Sequence, residues 1–212
     1  MKPSFLKSRQ NKRILTAFVV SAISLAAIAA TIKLEYGEFD SDLRQLADFE
    51  EIQLLKIKLY RDSVETDYDL VAVTVSPDSI SEQLISTVMP ITLRHDTTEF
   101  NVLAKPLGND SVRIQVAGSN YKSVVHIVPT FQCILYNYLT QSEFNTDEEI
   151  PLFAYARGAE HEIEWNGQTL KAYNYCMVRE CGKHPSEWGK TFHLPTYIYY
   201  VLRPKKQAIS NR

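Results

Sequence analysis

The chain is poor in the residues that mark several protein classes. With 7 Gly and 9 Pro in 212 residues, it is neither a flexible linker nor a collagen-like chain. It has no excess of positive charge, with 23 Lys plus Arg against 25 Asp plus Glu. A phosphate backbone needs a basic face, so nucleic acid is excluded as the expected partner. No Gly-x-Ser-x-Gly elbow, nucleotide-binding glycine loop or His-Glu-x-x-His helix is present, and with them go the commonest signatures of hydrolase, NTPase and metalloprotease chemistry. Internal repeats and low-complexity segments are absent too. The expectation is a non-enzymatic protein with no cofactor, no metal site and no catalytic residues.

What is present is a polarised N-terminus. Residues 1–13 carry Lys2, Lys7, Arg9, Lys12 and Arg13 and no acid. Without those five bases the remainder holds 18 bases against 25 acids, a net of -7. Residues 14–32, ILTAFVVSAISLAAIAATI, follow as 19 residues without a charge. At about 1.5 Å per residue they reach roughly 28 Å, close to a bilayer core. Acids then dominate: Glu35, Glu38, Asp40, Asp42, Asp48, Glu50 and Glu51. The positive-inside rule predicts a cytoplasmic leader at 1–13, a signal anchor at 14–32 in contact with the lipid bilayer, and the rest on the far side. Ala27-Ile28-Ala29 fits a cleavage pattern, so a cleaved, exported ligand-binding protein or hydrolase is the competing reading. The Ala-rich anchor favours a bacterial inner membrane and a periplasmic domain. The sequon Asn109-Asp110-Ser111 keeps a eukaryotic type II glycoprotein open.

Apolar spacing divides the body. Phe39, Leu43, Leu46 and Phe49 recur every three or four residues and predict a membrane-proximal amphipathic helix within 33–50. An α+β domain over 51–203 and a basic flexible tail over 204–212 complete the expected organisation. Strands are expected at 55–59 and 70–75, at 91–106 with a break near Asp96-Thr97, and at 111–117, 150–157 and 196–202. Ser79 and Glu82 stand at capping-box spacing and predict a helix that Pro90 ends. Pro129 divides 121–140 into a strand before it and a helix after it. Asn166-Gly167, between 162–165 and 168–175, predicts a type I′ hairpin because both positions need positive φ. The predicted class is therefore α+β: an N-terminal transmembrane helix, then one mostly antiparallel sheet domain with two or three helices.

Several residues are candidates for function. Cys176 and Cys181 lie close enough in sequence for a small disulfide loop outside the cytoplasm, whereas Cys133, between Phe131 and Ile134, reads as buried. Zinc on Cys176, Cys181, His184 and His193 is the rival reading, and it lacks the two-residue cysteine spacing of usual zinc knuckles. In a strand His161 would face away from Glu160 and Glu162, so the three do not form an acid/base pair by themselves. Nine of the 12 Tyr lie from Tyr121 onward. Tyrosine and tryptophan are enriched at protein interfaces, so Trp165, Tyr173, Tyr197 and Tyr199 are the candidate contacts for another membrane or periplasmic protein.

Overall fold

A computed structural model describes residues 30–61, 66–86, 91–93, 97–107, 111–118, 121–127, 132–138 and 140–205. The leader, residues 14–29 of the expected anchor, the turn at 108–110, Pro129 and the end of the tail lie outside them.

Three antiparallel sheets form the fold. The first contains β1 (Thr31–Gly37), β2 (Gln53–Arg61), β6 (Thr98–Leu107), β7 (Ser111–Gly118), β8 (Tyr121–Ile127) and β10 (Glu143–Asn145), in the order β10-β1-β2-β6-β7-β8. The second contains β3 (Thr66–Val75), β4 (Ile80–Leu84), β9 (Cys133–Asn137), β11 (Ile150–Arg157) and β14 (Tyr197–Pro204), ordered β4-β3-β14-β11-β9. Short β5 (Ile91–Leu93) also pairs with β3. The third is a two-stranded ribbon of β12 (Ala159–Trp165) and β13 (Gln168–Asn174).

Alternation sets the layers. In β6 and β7, Phe100, Val102, Ala104, Val112, Ile114 and Val116 point inward and are buried. They meet Tyr68, Leu70, Phe153, Ile198, Tyr200 and Leu202 from the second sheet in one continuous core, as two sheets packed face to face require. The second sheet is also buried on its other face. There Val71, Val73, Tyr197, Tyr199 and Val201 lie under a cover made of α2 (Tyr175–Arg179), a 3-10 turn (Pro185–Glu187) and α3 (Trp188–Phe192). This explains the unbroken apolar runs of β3, β11 and β14, since a strand covered on both sides has no polar face to display.

The expected α+β class is corrected to a mostly antiparallel β fold, 62% strand against 15% helix among the described residues. Two predicted helices account for much of the difference. Ser76-Pro77-Asp78-Ser79 is a hairpin turn, with Ser76 N–H donating to Ser79 O at 2.8 Å, and residues 80–84 pair with Val71–Val75 as β4. The segment after Pro129 becomes β9 and pairs with β11. In both places a long strand partner outweighs a local helix signal. The acid-rich segment 142–149 contains β10.

The expected transmembrane helix lies, over residues 14–29, outside the described residues. No helix among the described residues is long and apolar enough to cross a membrane. Thr31 and Ile32, the last residues of the expected anchor, belong to β1, where Ile32 is fully buried. The amphipathic helix forms as α1 (Ser41–Phe49), capped by the Asp40 carboxylate on Asp42 N–H. Residues 33–37, the first part of the expected helix range 33–50, are strand instead.

The strands give the molecule two poles. At one pole, Thr31 pairs with Asn145 and Ile32 with Arg61, Thr146 N–H donates to Ala30 O, and Tyr68 Oη donates to Thr146 O. Tyr68 faces Pro204, and Lys205 N–H donates to Asp67 O. The N-terminal and C-terminal ends of the described chain therefore leave from the same pole. At the opposite pole lie α1, the start of β2, the end of β11 and the ribbon. Gln53 ties the two sheets together there, with Oε1 accepting from Leu135 N–H at 2.5 Å and Nε2 reaching Cys133 O at 3.5 Å.

Candidate interaction surface

The ribbon is the overhang of β11. Only Gly158 separates β11 from β12, and an added Cβ there would come to 3.0 Å from the Asn174 backbone carbon. Glycine thus lets β12 start against the end of β13. The Asn166-Gly167 turn has φ of 51° and 74°, and the register runs from Ala159↔Asn174 to Trp165↔Gln168. This is the hairpin that the Asn-Gly pair predicts, except that Tyr175 opens α2 instead of ending β13.

Register sorts the side chains into two faces. Ala159, His161, Ile163 and Trp165 share one face with Leu170 and Ala172 across the ladder. Glu160, Glu162 and Glu164 share the other with Thr169, Lys171 and Tyr173. On that polar face Lys171 Nζ is 2.7 Å from Glu160, and Thr169 Oγ1 donates to Glu164 at 2.6 Å. The Arg157 guanidinium lies over the Tyr173 ring at 4.7 Å. The ion pair with Lys171 pulls the Glu160 carboxyl below its ordinary range. The apolar face is uncovered: Trp165 is 64% exposed, and Ile163 and Leu170 are exposed with it. An isolated two-stranded hairpin is marginal in water, and here Ile163 and Leu170 still leave 40% and 42% of their surface exposed.

The four candidate contact residues therefore divide. Trp165 and Tyr173 are on the ribbon, on opposite faces, with Tyr173 half-buried beneath Arg157. Tyr197 and Tyr199 share one face of β14, as alternation requires, but that face is covered and both are buried. Tyr197 Oη donates to Pro185 O at 2.6 Å and accepts from Gly189 N–H at 3.1 Å. The Trp188 indole stacks on its ring, with centroids 6.4 Å apart. Burial pushes both phenols up to about 12. They hold the cover to the sheet and present no surface to a partner. Ile163 and Leu170 were not singled out from sequence, although the hairpin register, once written down, places them beside Trp165.

A polar clasp links the cover to the sheet. His184 Nδ1 accepts from Ser186 N–H at 3.2 Å and lies 2.8 Å from Ser186 Oγ. Its Nε2 is 3.8 Å from Glu149. Arg203 Nε in turn donates to Glu149 at 2.8 Å, and its two terminal nitrogens hold the Glu82 carboxylate at 2.8 and 3.0 Å. Burial holds the His184 imidazole below its ordinary value, although Glu149 and Glu187 pull it upward. The Ser–His–Glu sequence of contacts superficially suggests nucleophilic catalysis. However, His184 caps the 3-10 turn that contains Ser186, and Arg203 engages Glu149. The arrangement fastens the cover to β14.

Cys176 and Cys181, the expected disulfide pair, are free thiols, the first exposed and the second partly buried. Cys176 lies inside α2, with its carbonyl accepting from Glu180 N–H. Among the described residues no three His, Cys, Asp or Glu side chains come together in a way that could hold a metal ion. The chain matches no family model, no curated protein and no solved structure.

Proposed function

We propose that the protein is a single-pass, membrane-anchored member of the bacterial envelope whose periplasmic β domain binds another envelope protein. It would serve as an accessory subunit of an envelope complex or as the partner of a membrane regulator. The observation that carries this reading is the ribbon. Trp165, Ile163 and Leu170 form one uncovered apolar face at the pole opposite the chain's exit points. Large exposed apolar patches on otherwise well-packed domains are characteristic of interaction sites.

The tether rests on the uncharged residues that remain ahead of β1. Residues 14–30 number 17, about 25 Å as a helix, at the short end of the range that spans a bilayer. With Ala30 directly before β1 there is no spacer, so a membrane at the N-terminal pole leaves the ribbon projecting away from it. Confinement to a surface raises the effective concentration of the ribbon near other anchored proteins.

A photo-crosslinking residue at position 165 of the full-length protein, activated in native membranes, tests this reading. The expected result is a discrete protein adduct that is lost on Ile163→Ser and absent when the probe stands at position 81 on β4. Adducts to lipid alone, or the same pattern from both positions, would sink it.

A further inference from the structure

Helix α1 has its faces reversed. Of its nine residues only Ala47 is buried, while Leu43, Leu46 and Phe49 are 44%, 58% and 83% exposed. Burial of apolar side chains favours folding and association, and α1 leaves much of the surface of these three in solvent. A helix this short is not stable alone. It is held by the Asp40 cap, by Arg44 Nη2 on Glu38 at 2.9 Å, and by Ile52 N–H donating to Ala47 O at 2.7 Å. None of these contacts uses the apolar stripe.

The charges around the stripe narrow the choice of occupant. Residues 38–51 contain Glu38, Asp40, Asp42, Asp48, Glu50 and Glu51 against the single base Arg44. Arg44 is committed to Glu38, and Glu50 to Lys105 at 2.8 Å. Among the described residues no ion pair involves Asp42, Asp48 or Glu51. A second copy of α1 would bring like charges together, which disfavours self-association through this face. An anionic lipid surface is repelled for the same reason, and α1 also lies at the pole away from Ala30.

From this we infer that α1 is a docking site for a cationic amphipathic helix of a partner protein. The apolar side chains of that helix would cover Leu43, Leu46 and Phe49, and its Lys or Arg flanks would meet Asp42, Asp48 and Glu51. Helix-to-helix seating of this kind reads anchors spaced three and four residues apart, and Leu43, Leu46 and Phe49 have that spacing. The inference does not depend on the ribbon and stands if the ribbon proves unused.

The test uses the full chain in phosphatidylcholine nanodiscs and a fluorescent synthetic peptide of roughly 14 residues, about four turns. The peptide carries Leu at i, i+3 and i+4 positions and Lys elsewhere, and a second peptide carries Glu in place of Lys. Anisotropy should report binding of the Lys peptide above that of empty discs, and none of the Glu peptide. Leu46→Ser with Phe49→Ser should weaken it by at least about tenfold, the equivalent of one lost apolar anchor. Asp42→Asn with Asp48→Asn should weaken it less and flatten its salt dependence. Both variants alter exposed side chains, and an unchanged thermal unfolding curve verifies the fold. Equal binding to empty discs, or undiminished binding by both variants, overturns the inference. It also falls if the unaltered chain does not bind and binding appears only once Lys2, Lys7, Arg9, Lys12 and Arg13 are replaced by Gln, because the chain's own leader would then be the occupant.

Discussion

β14 and the ribbon are both aromatic strands, and their side chains meet opposite fates. β14 lies third in the order of its sheet, with the first sheet on one side and the α2–α3 cover on the other. Its tyrosines are buried, and the Tyr197 hydroxyl engages the backbone of the cover at Pro185 and Gly189. Among the described residues the ribbon has one ladder and no layer above or below, so Trp165 meets solvent. Aromatic content is the same kind of signal in both. What decides between core and surface is how many layers the topology stacks on a strand, a property of pairings far away in sequence.

Substitutions on either side of that comparison should differ in the size and place of their effects. The largest belongs to Trp188→Ala. It empties the space between the cover, Tyr136 and Tyr197, and is expected to cost about 3–5 kcal/mol in urea unfolding. Tyr197→Phe should cost about 1–3 kcal/mol, because it strands the buried Pro185 carbonyl and Gly189 N–H without a partner. If it proves neutral, the cover is not fastened through that hydroxyl.

The clasp adds a dependence on pH. Burial sets the His184 imidazole below its ordinary value of 6.5, so the folded state binds fewer protons than the unfolded one. Stability contributed there is present above about pH 6.5 and is lost as pH falls below it. The urea midpoint of the wild type should therefore fall more steeply between about pH 7 and pH 5 than that of His184→Gln. Parallel slopes would show that His184 titrates without constraint. The smallest effect is expected for Trp165→Ala, within about 0.5 kcal/mol of wild type. A larger loss would mean that the ribbon's apolar face has an intramolecular cover.

Much of this architecture can be read from local signals. Asn166-Gly167 needs no distant partner to make its turn, and the spacing of Leu43, Leu46 and Phe49 is helical wherever it is placed. Periodicity does not say which face of a helix is inward. The apolar stripe implied burial or membrane contact, whereas Ala47 takes the inside. Ser79 to Glu82 and the segment after Pro129 carried helical signals too weak to resist pairing with β3 and β11. Tyr197 and Tyr199 were correctly placed on one face of a strand. The cover over that face is built from residues 175–194, a segment with no strong periodicity of its own, and so their burial was not legible.

The opposition of the two poles has a mechanical meaning. In antiparallel sheets the ladder bonds run across the strands. A pull between the N-terminal end of β1 and the tip of the ribbon would act along the strands. β1 would have to slide past β2 and β10, and β11 past β14 and β9, with many bonds sharing the load in shear at once. A pull between Ala30 and Lys205, which exit together, would instead unzip strand ends one bond at a time. A domain held at one pole and grasped at the other meets tension in its stronger direction.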